Sequence, residues 1–142
     1  MQTPPTPEAL QKFPLAHLAI ACESIESSKA LYLSLGFSAD EPEIVAAQQV
    51  RVLKVHRGEF CIELLEACPV GAGPVAKFIA KKGAGLHHVA LWTLNLIDAL
   101  KALETQGVKA LPGYPQAGAN GQQVAFLDPE CTGGVLYELV QR

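Results

Sequence analysis

Four side chains in this 142-residue sequence have the types needed to bind one divalent metal ion. His17 and His88 each lie in a short apolar segment, and Glu63 and Glu138 each interrupt an otherwise apolar run. An ionised carboxylate is costly to bury without a counter-charge or a metal. Two imidazoles and two carboxylates form a suitable ligand set for Co, Ni, Mn, Zn, Fe or Mg. We therefore predict a metal site built from these four residues.

Structural roles compete with this interpretation. A single histidine in an apolar strand is more often a hydrogen-bonded structural residue than a metal ligand. A glutamate near the end of a strand can also be an edge charge that discourages aggregation. That alternative suits Glu138, close to the C-terminus, better than Glu63, because Leu64 and Leu65 continue the apolar run.

The arrangement of these residues is repeated, which favours the metal site. His17 precedes Gly36 by the same 19 residues that separate His88 from Gly107. In both copies a β-prone segment carries the histidine, a polar capping residue follows, and a segment with helical spacing ends at the glycine. Hairpin-like segments follow, among them a strand predicted over residues 108–111. The pattern predicts a βαβββ module used twice, with the four residues converging if the modules pack pseudo-symmetrically.

The length favours a single domain over residues 1–142. We predict, in chain order, an N-terminal tail over 1–14, a first βαβββ module over 15–68, a linker helix over 74–83 and a second βαβββ module over 86–142.

Three further residues have weaker predicted roles. In a regular strand His87 points to the opposite face from His88, so we assign it a structural or supporting role. We expect His56 to be a solvated residue beside a charged turn. Trp92 shares a face with His88, and a core position is favoured over a place in a pocket wall.

Composition argues against several classes of partner. The net charge is -3 and no basic block is present, so we expect no nucleic-acid partner. No apolar run approaches the roughly 20 residues of a membrane helix, and residues 1–14 lack the apolar core of a secretory signal. The four cysteines show no CxxC spacing and suit reduced, packed thiols. We expect a cytoplasmic protein without a membrane association.

Several motifs together resemble those of a known family. The matching segments are His17-Leu18-Ala19-Ile20-Ala21, Ile62-Glu63-Leu64-Leu65-Glu66, Val75-Ala76-Lys77-Phe78-Ile79, Gly85-Leu86-His87-His88-Val89-Ala90 and Gly133-Gly134-Val135-Leu136-Tyr137-Glu138-Leu139. From residue 15 to residue 140 the sequence resembles the vicinal oxygen chelate superfamily, which includes glyoxalases, bleomycin-resistance proteins and dioxygenases. Within it the sequence is most similar to the methylmalonyl-CoA epimerases.

The resemblance implies an α+β fold in which paired βαβββ modules form a half-open mixed β-barrel around the metal. It implies that His17, Glu63, His88 and Glu138 hold the ion, which binds the thioester oxygen and the carboxylate of an acyl-CoA substrate. Acidic residues then exchange the proton next to the carbonyl. We expect Glu138 to take the acid/base role and Glu63 to act mainly as a ligand, with both counted as catalytic. The resemblance also implies a homodimer.

Two departures from the epimerase pattern leave other functions open. The acidic stretch that supplies a second acid/base glutamate is replaced by Ala46-Ala47-Gln48-Gln49, unless Glu41 or Glu43 takes over that role. Asp128 and Glu130 make another turn less favourable for an anionic CoA chain. The alternatives are a glyoxalase I-like lyase acting on a thiohemiacetal, such as a lactoylglutathione lyase, and a non-catalytic protein that binds a ligand as bleomycin-resistance proteins do.

Overall fold

A computed structural model describes residues 13–142, so most of the predicted tail lies outside the described residues. The strands are β1 (Leu15–Ala21), β2 (Ser38–Ala39), β3 (Glu43–Val45), β4 (Val50–Arg57), β5 (Phe60–Ala67), β6 (Gly85–Thr93), β7 (Gln116–Ala117), β8 (Gln123–Phe126) and β9 (Tyr137–Gln141). The α-helices are α1 (Ile25–Ser34), α2 (Gly73–Lys82) and α3 (Leu96–Glu104). None of the helices within residues 13–142 is long and apolar enough to cross a membrane.

The helices that follow β1 and β6 begin in the same way. The side chain of Ser24 accepts a hydrogen bond from the backbone N–H of Ser27 at the start of α1, and Asn95 does the same for Asp98 at α3. Soon after each helix a glycine, Gly36 or Gly107, adopts a positive φ. The helix starts and stops therefore agree with those that the sequence predicts.

All nine strands belong to one mixed sheet. Its order is β2-β4-β5-β1-β6-β9-β8-β7, with β3 paired to β4 on the first side. The central strands β1 and β6 are antiparallel, and each has a parallel neighbour, β5 for β1 and β9 for β6. The sheet curls into a half-open barrel, which confirms the predicted α+β fold class.

The strand predicted over residues 108–111 is wrong. Only one isolated bridge forms there, between Ala110 and Leu127. Pro112 follows this segment and has no backbone N–H to donate, so it does not extend the ladder. The short strand β7 pairs with β8 instead, farther along the loop.

The helices α1 and α3 cover the convex face of the sheet. Ile25 of α1 packs into a buried cluster with Leu53 and Leu64, and Leu96 of α3 packs into another with Leu139. Each buried aliphatic side chain contributes about 1.5–3 kcal/mol relative to an exposed one. The helix α2 packs on part of the opposite, concave face through Val75, and the rest of that face carries polar side chains.

The two edges of the curled sheet are linked by a hydrogen bond. The backbone N–H of Asn120 donates to both carboxylate oxygens of Glu43, at 2.9 and 3.0 Å. Nearby, Gly118 is packed so closely that an added Cβ would lie 3.0 Å from a methyl group of Val124. The segment after β7 thus reaches across the concave face to β3.

Candidate metal centre

The sheet register aligns the four predicted residues in two rows. Residues paired on neighbouring strands point to the same face of a sheet, so each row places a glutamate, an alanine and a histidine on the concave face. One row crosses β5, β1 and β6, and the other crosses β1, β6 and β9. The rows are Glu63, Ala19 and His88, and His17, Ala90 and Glu138.

An alanine stands at the middle of both rows. Ala19 and Ala90 are fully buried, and their methyl groups leave room between the histidine and the glutamate of each row. All four polar side chains are also buried. Because buried charges require partners, these side chains must satisfy one another or hold an ion.

A β-bulge precedes each histidine. In β1 the pairing with β6 skips Ala16, directly before His17, and in β6 the pairing skips His87, directly before His88. The extra residue turns the strand locally, so both Ala16 and His87 line the concave cavity beside their histidines. The prediction that His87 faces away from His88 is wrong, because it assumed a regular strand.

Three side chains bring their ligand atoms together. Nε2 of His17 lies 3.4 Å from Nε2 of His88 and 3.4 Å from Oε1 of Glu138, and Nε2 of His88 lies 3.5 Å from that oxygen. The point equidistant from the three atoms is about 2.0 Å from each, which matches zinc–nitrogen and zinc–oxygen bond lengths. Within residues 13–142 this is the cluster of donor atoms that fits a metal ion.

The contacts behind the two histidines suit the same role. Nδ1 of His17 lies 3.2 Å from Oε2 of Glu63, and Nδ1 of His88 lies 2.8 Å from Nδ1 of His87. With a metal on both Nε2 atoms, each ring would carry its hydrogen on Nδ1, which faces Oε2 of Glu63 in His17 and Nδ1 of His87 in His88. Metal-binding histidines in proteins are held by such partners of the other ring nitrogen.

Glu63 lies outside the triangle. Its carboxylate contacts the far nitrogen of His17, and Nζ of Lys54 lies 3.9 Å from the same Oε2 atom. The structure therefore brings His17, His88 and Glu138 together and places Glu63 behind His17. A fourth ligand bond from Glu63 stays a prediction.

The two buried carboxylates differ in proton affinity. Burial raises the pKa of Glu138, but hydrogen bonds from His17 and His88 outweigh this effect and lower that pKa to about 2. Burial raises the pKa of Glu63, and the nearby His17 only partly opposes the shift. Burial and the charge of His88 lower the pKa of His87 to about 4. Glu138 is thus held as an anion, whereas Glu63 binds a proton more readily than an ordinary glutamate.

The triangle opens into a cavity of about 690 Å³, a volume typical of small-molecule sites. Apolar and aromatic side chains form much of its wall, among them Val50, Val52, Trp92, Tyr114, Val124 and Phe126. Trp92 also packs beneath the guanidinium of Arg142, whose Cζ lies 5.3 Å from the ring centroid. Trp92 is therefore a wall residue as well as part of a core cluster.

Neither proposed replacement for the missing acid reaches this cavity. Glu43 is held by Asn120, Glu41 is exposed, and neither lines the wall. His56, expected to be solvated, contributes to the wall, and its Nε2 lies 2.8 Å from Oδ2 of Asp40.

One functional candidate was missed. Lys54 lines the cavity, and the alternation of Val50, Val52 and Lys54 along β4 is the signal that could have placed it there.

Comparison with known proteins agrees with the geometry. A sequence model of the glyoxalase/bleomycin resistance protein/dioxygenase superfamily matches residues 16–126. The uncharacterized protein YqjC of Bacillus subtilis is 38% identical over 128 residues, which cover 89% of this chain and 91% of that protein. The mitochondrial methylmalonyl-CoA epimerase of Bos taurus is 36% identical over 130 residues, covering 89% of this chain and 73% of the relative.

Solved structures of other proteins have the same fold. A hypothetical protein from Bacillus halodurans superposes with a TM-score of 0.87 at 36% identity, covering 92% of this chain and 94% of the other. A methylmalonyl-CoA epimerase in complex with methylmalonyl-CoA and NH4+ superposes with a TM-score of 0.84 at 29% identity, covering 91% and 94%. With its fold, its buried histidines and glutamate, and these relatives, the chain belongs to the glyoxalase/bleomycin resistance/dioxygenase superfamily.

Proposed function

We propose that this protein is a metal-dependent isomerase that removes and returns the proton next to a thioester carbonyl, as a methylmalonyl-CoA epimerase does. The observation that carries the proposal is the buried triangle of His17, His88 and Glu138, which faces a cavity that Glu63 also lines. When bound, a divalent ion would polarise the carbonyl oxygen and so acidify the neighbouring C–H bond. The chain then has to hold the substrate, remove the proton from one face of the carbon and leave the opposite face open for a proton to return.

We assign the proton transfer to Glu63 and a ligand role to Glu138. Glu63 lines the cavity but lies outside the triangle, whereas Glu138 lies between two histidines. The raised pKa of Glu63, caused mainly by burial, also suits a general base, since such a group works best when its pKa approaches the working pH. The sequence favoured Glu138 for this role, and the position of its carboxylate favours the reverse assignment.

The relatives support one substrate class. Methylmalonyl-CoA epimerases are similar to this chain over most of its length, and one solved neighbour holds methylmalonyl-CoA. We therefore propose an acyl-CoA thioester as the substrate. We also propose that His17, His88 and Glu138 hold the ion, that the chain is one domain with two βαβββ modules, and that it forms a homodimer in the cytoplasm.

The test is isotope exchange at the carbon that carries the acidic proton. Cobalt-loaded protein is incubated with methylmalonyl-CoA in deuterated water, and deuterium uptake at C2 is followed by NMR. We expect uptake in the wild type and a loss of about 100-fold or more in Glu63→Gln. Glu104→Gln, at the exposed end of α3, is the matched control and should keep the wild-type rate.

Two results would contradict the proposal. No uptake by metal-loaded protein would exclude epimerase activity, and turnover of the thiohemiacetal of methylglyoxal and glutathione would then identify a glyoxalase-type lyase. Uptake that persists in Glu63→Gln and disappears only in Glu138→Gln would return the proton transfer to Glu138.

A further inference from the structure

Each row of the candidate centre continues onto one more strand, and the two extensions differ in chemistry. Lys54 of β4 pairs with Glu63, so it extends the first row. Phe126 of β8 pairs with Glu138, so it extends the second row at the equivalent position. The ligand-bearing part of the site has approximate twofold symmetry, whereas its two ends are a cation and an aromatic ring.

The ammonium group of Lys54 faces the cavity with capacity to bind another group. Its side chain is 20% exposed and lines the cavity, and its Nζ lies 3.9 Å from Oε2 of Glu63. That separation is an ion pair and exceeds hydrogen-bond length. Among residues 13–142 the ammonium has no hydrogen-bonded partner. An ammonium carries three donors, so an anionic ligand can bind it without displacing Glu63.

The opposite end is apolar. The ring of Phe126 meets His88 edge to face at 5.0 Å between centroids, and the ring of Tyr114 packs on Phe126 at 5.3 Å. These rings offer no cation to a carboxylate. A ligand with one anionic and one apolar end would therefore be oriented in the cavity.

The charges of the side chains around the site also favour an anionic ligand. A divalent ion with neutral His17 and His88 would be balanced by the carboxylates of Glu63 and Glu138. Glu59 and Arg142 also line the cavity and have opposite charges, so the charge of Lys54 would remain uncompensated. A positive charge held in a largely buried cavity favours an anionic ligand.

We propose that Lys54 is a specificity-determining residue that binds the carboxylate of a carboxylated acyl substrate and directs its apolar part toward Phe126. This inference rests on the proposed function, since it concerns the substrate of the same site. In this arrangement the carbon between carboxylate and thioester lies beside Glu63, because Lys54 and Glu63 are direct neighbours across two strands.

The test compares two small acids that differ by one carboxylate. Methylmalonate and propionate are titrated into cobalt-loaded protein by calorimetry. For Lys54→Met we expect methylmalonate to bind at least about tenfold more weakly, while the affinity for propionate changes less than about twofold. Lys54→Arg should restore most of the affinity, because it keeps the charge. Lys77→Met, on the exposed face of α2, is the matched control and should bind both acids like the wild type.

Several outcomes would overturn the inference. Equal loss of both acids in Lys54→Met, or loss of bound cobalt, would assign Lys54 to the stability of the centre. Unchanged methylmalonate binding in that variant, or no binding to the wild type, would also exclude the role. Failure of the isomerase proposal has a different signature, since isotope exchange would then be absent while Lys54 still discriminates between the two acids.

Discussion

Nδ1 of His87 lies 2.8 Å from Nδ1 of His88, although neighbouring residues of a regular strand point to opposite faces. The bulge in β6 turns the ring of His87 toward the cavity, where it can accept the hydrogen of His88. This contact fixes the ring of His88, a candidate ligand, on the side that faces away from the triangle. Four predictions follow from this and related contacts.

Replacing His87 should weaken metal binding without removing a ligand. We expect His87→Phe to lower the affinity for cobalt by about 10- to 100-fold, since the acceptor for the Nδ1 hydrogen of His88 is lost. His87→Asn should retain more of the affinity, because its amide oxygen can accept that hydrogen. Competition with a chromophoric chelator measures the affinities. Wild-type affinity in His87→Phe would contradict this role.

The absorption spectrum of bound cobalt distinguishes a ligand from a supporting residue at Glu63. If Glu63 binds the ion, as the sequence predicts, Glu63→Ala should change the d–d bands and weaken binding. If its carboxylate only holds Nδ1 of His17, at the 3.2 Å separation seen here, the bands should keep their positions while affinity falls. We expect the second result, because the carboxylate of Glu63 lies on the far side of His17 from the triangle. His88→Ala provides a reference spectrum for a lost ligand.

Enlarging the middle residue of a row should close the metal centre. Ala90 is fully buried between His17 and Glu138, so the side chain in Ala90→Leu has no free space. We expect loss of metal binding and a destabilisation of about 1–3 kcal/mol in denaturant unfolding. Ala102→Leu, on the exposed side of α3, should leave both quantities near wild type. Stoichiometric cobalt in Ala90→Leu would refute the row geometry.

The thiol of Cys61 should titrate unusually late. Burial, with a smaller contribution from the carboxylate of Glu63, raises its pKa from 9.0 to about 11. The thiolate is the reactive form, so at pH 8 the folded protein should hold about 100-fold less of it than the unfolded chain. The rate of iodoacetamide labelling of metal-free protein should therefore rise with pH to a half-maximal value only at about pH 11.

Peptide mass spectrometry identifies the labelled cysteine. The same titration in urea should have its midpoint near pH 9, and Glu63→Gln should move the folded midpoint downward. A folded midpoint equal to the one in urea would show that Cys61 is not shielded as described.

Much of the site could be predicted because the two halves of the sequence repeat the same pattern of strand, helix and histidine–glycine spacing. The equal spacing of His17 and Gly36, and of His88 and Gly107, predicted two strands with related positions. The structure places these histidines on adjacent central strands, where the register makes them neighbours.

What could not be predicted depends on local irregularity or on long-range pairing. The β-bulge that turns His87 leaves no trace in the period-two pattern, because one extra residue is visible only against its partner strand. The alternation along β4 indicates the face on which Lys54 lies, but only the register shows that this residue is opposite Glu63. The missing strand before Pro112 shows that an apolar run needs a continuous ladder as well as β-prone residues.

The paired bulges also bear on how the two halves form the site. Ala16 and His87 occupy the same position relative to their histidines, yet they share neither size nor polarity. Each module therefore brings its own irregularity to the seam where β1 pairs with β6. The site is assembled at that seam, so neither module could form it without the other.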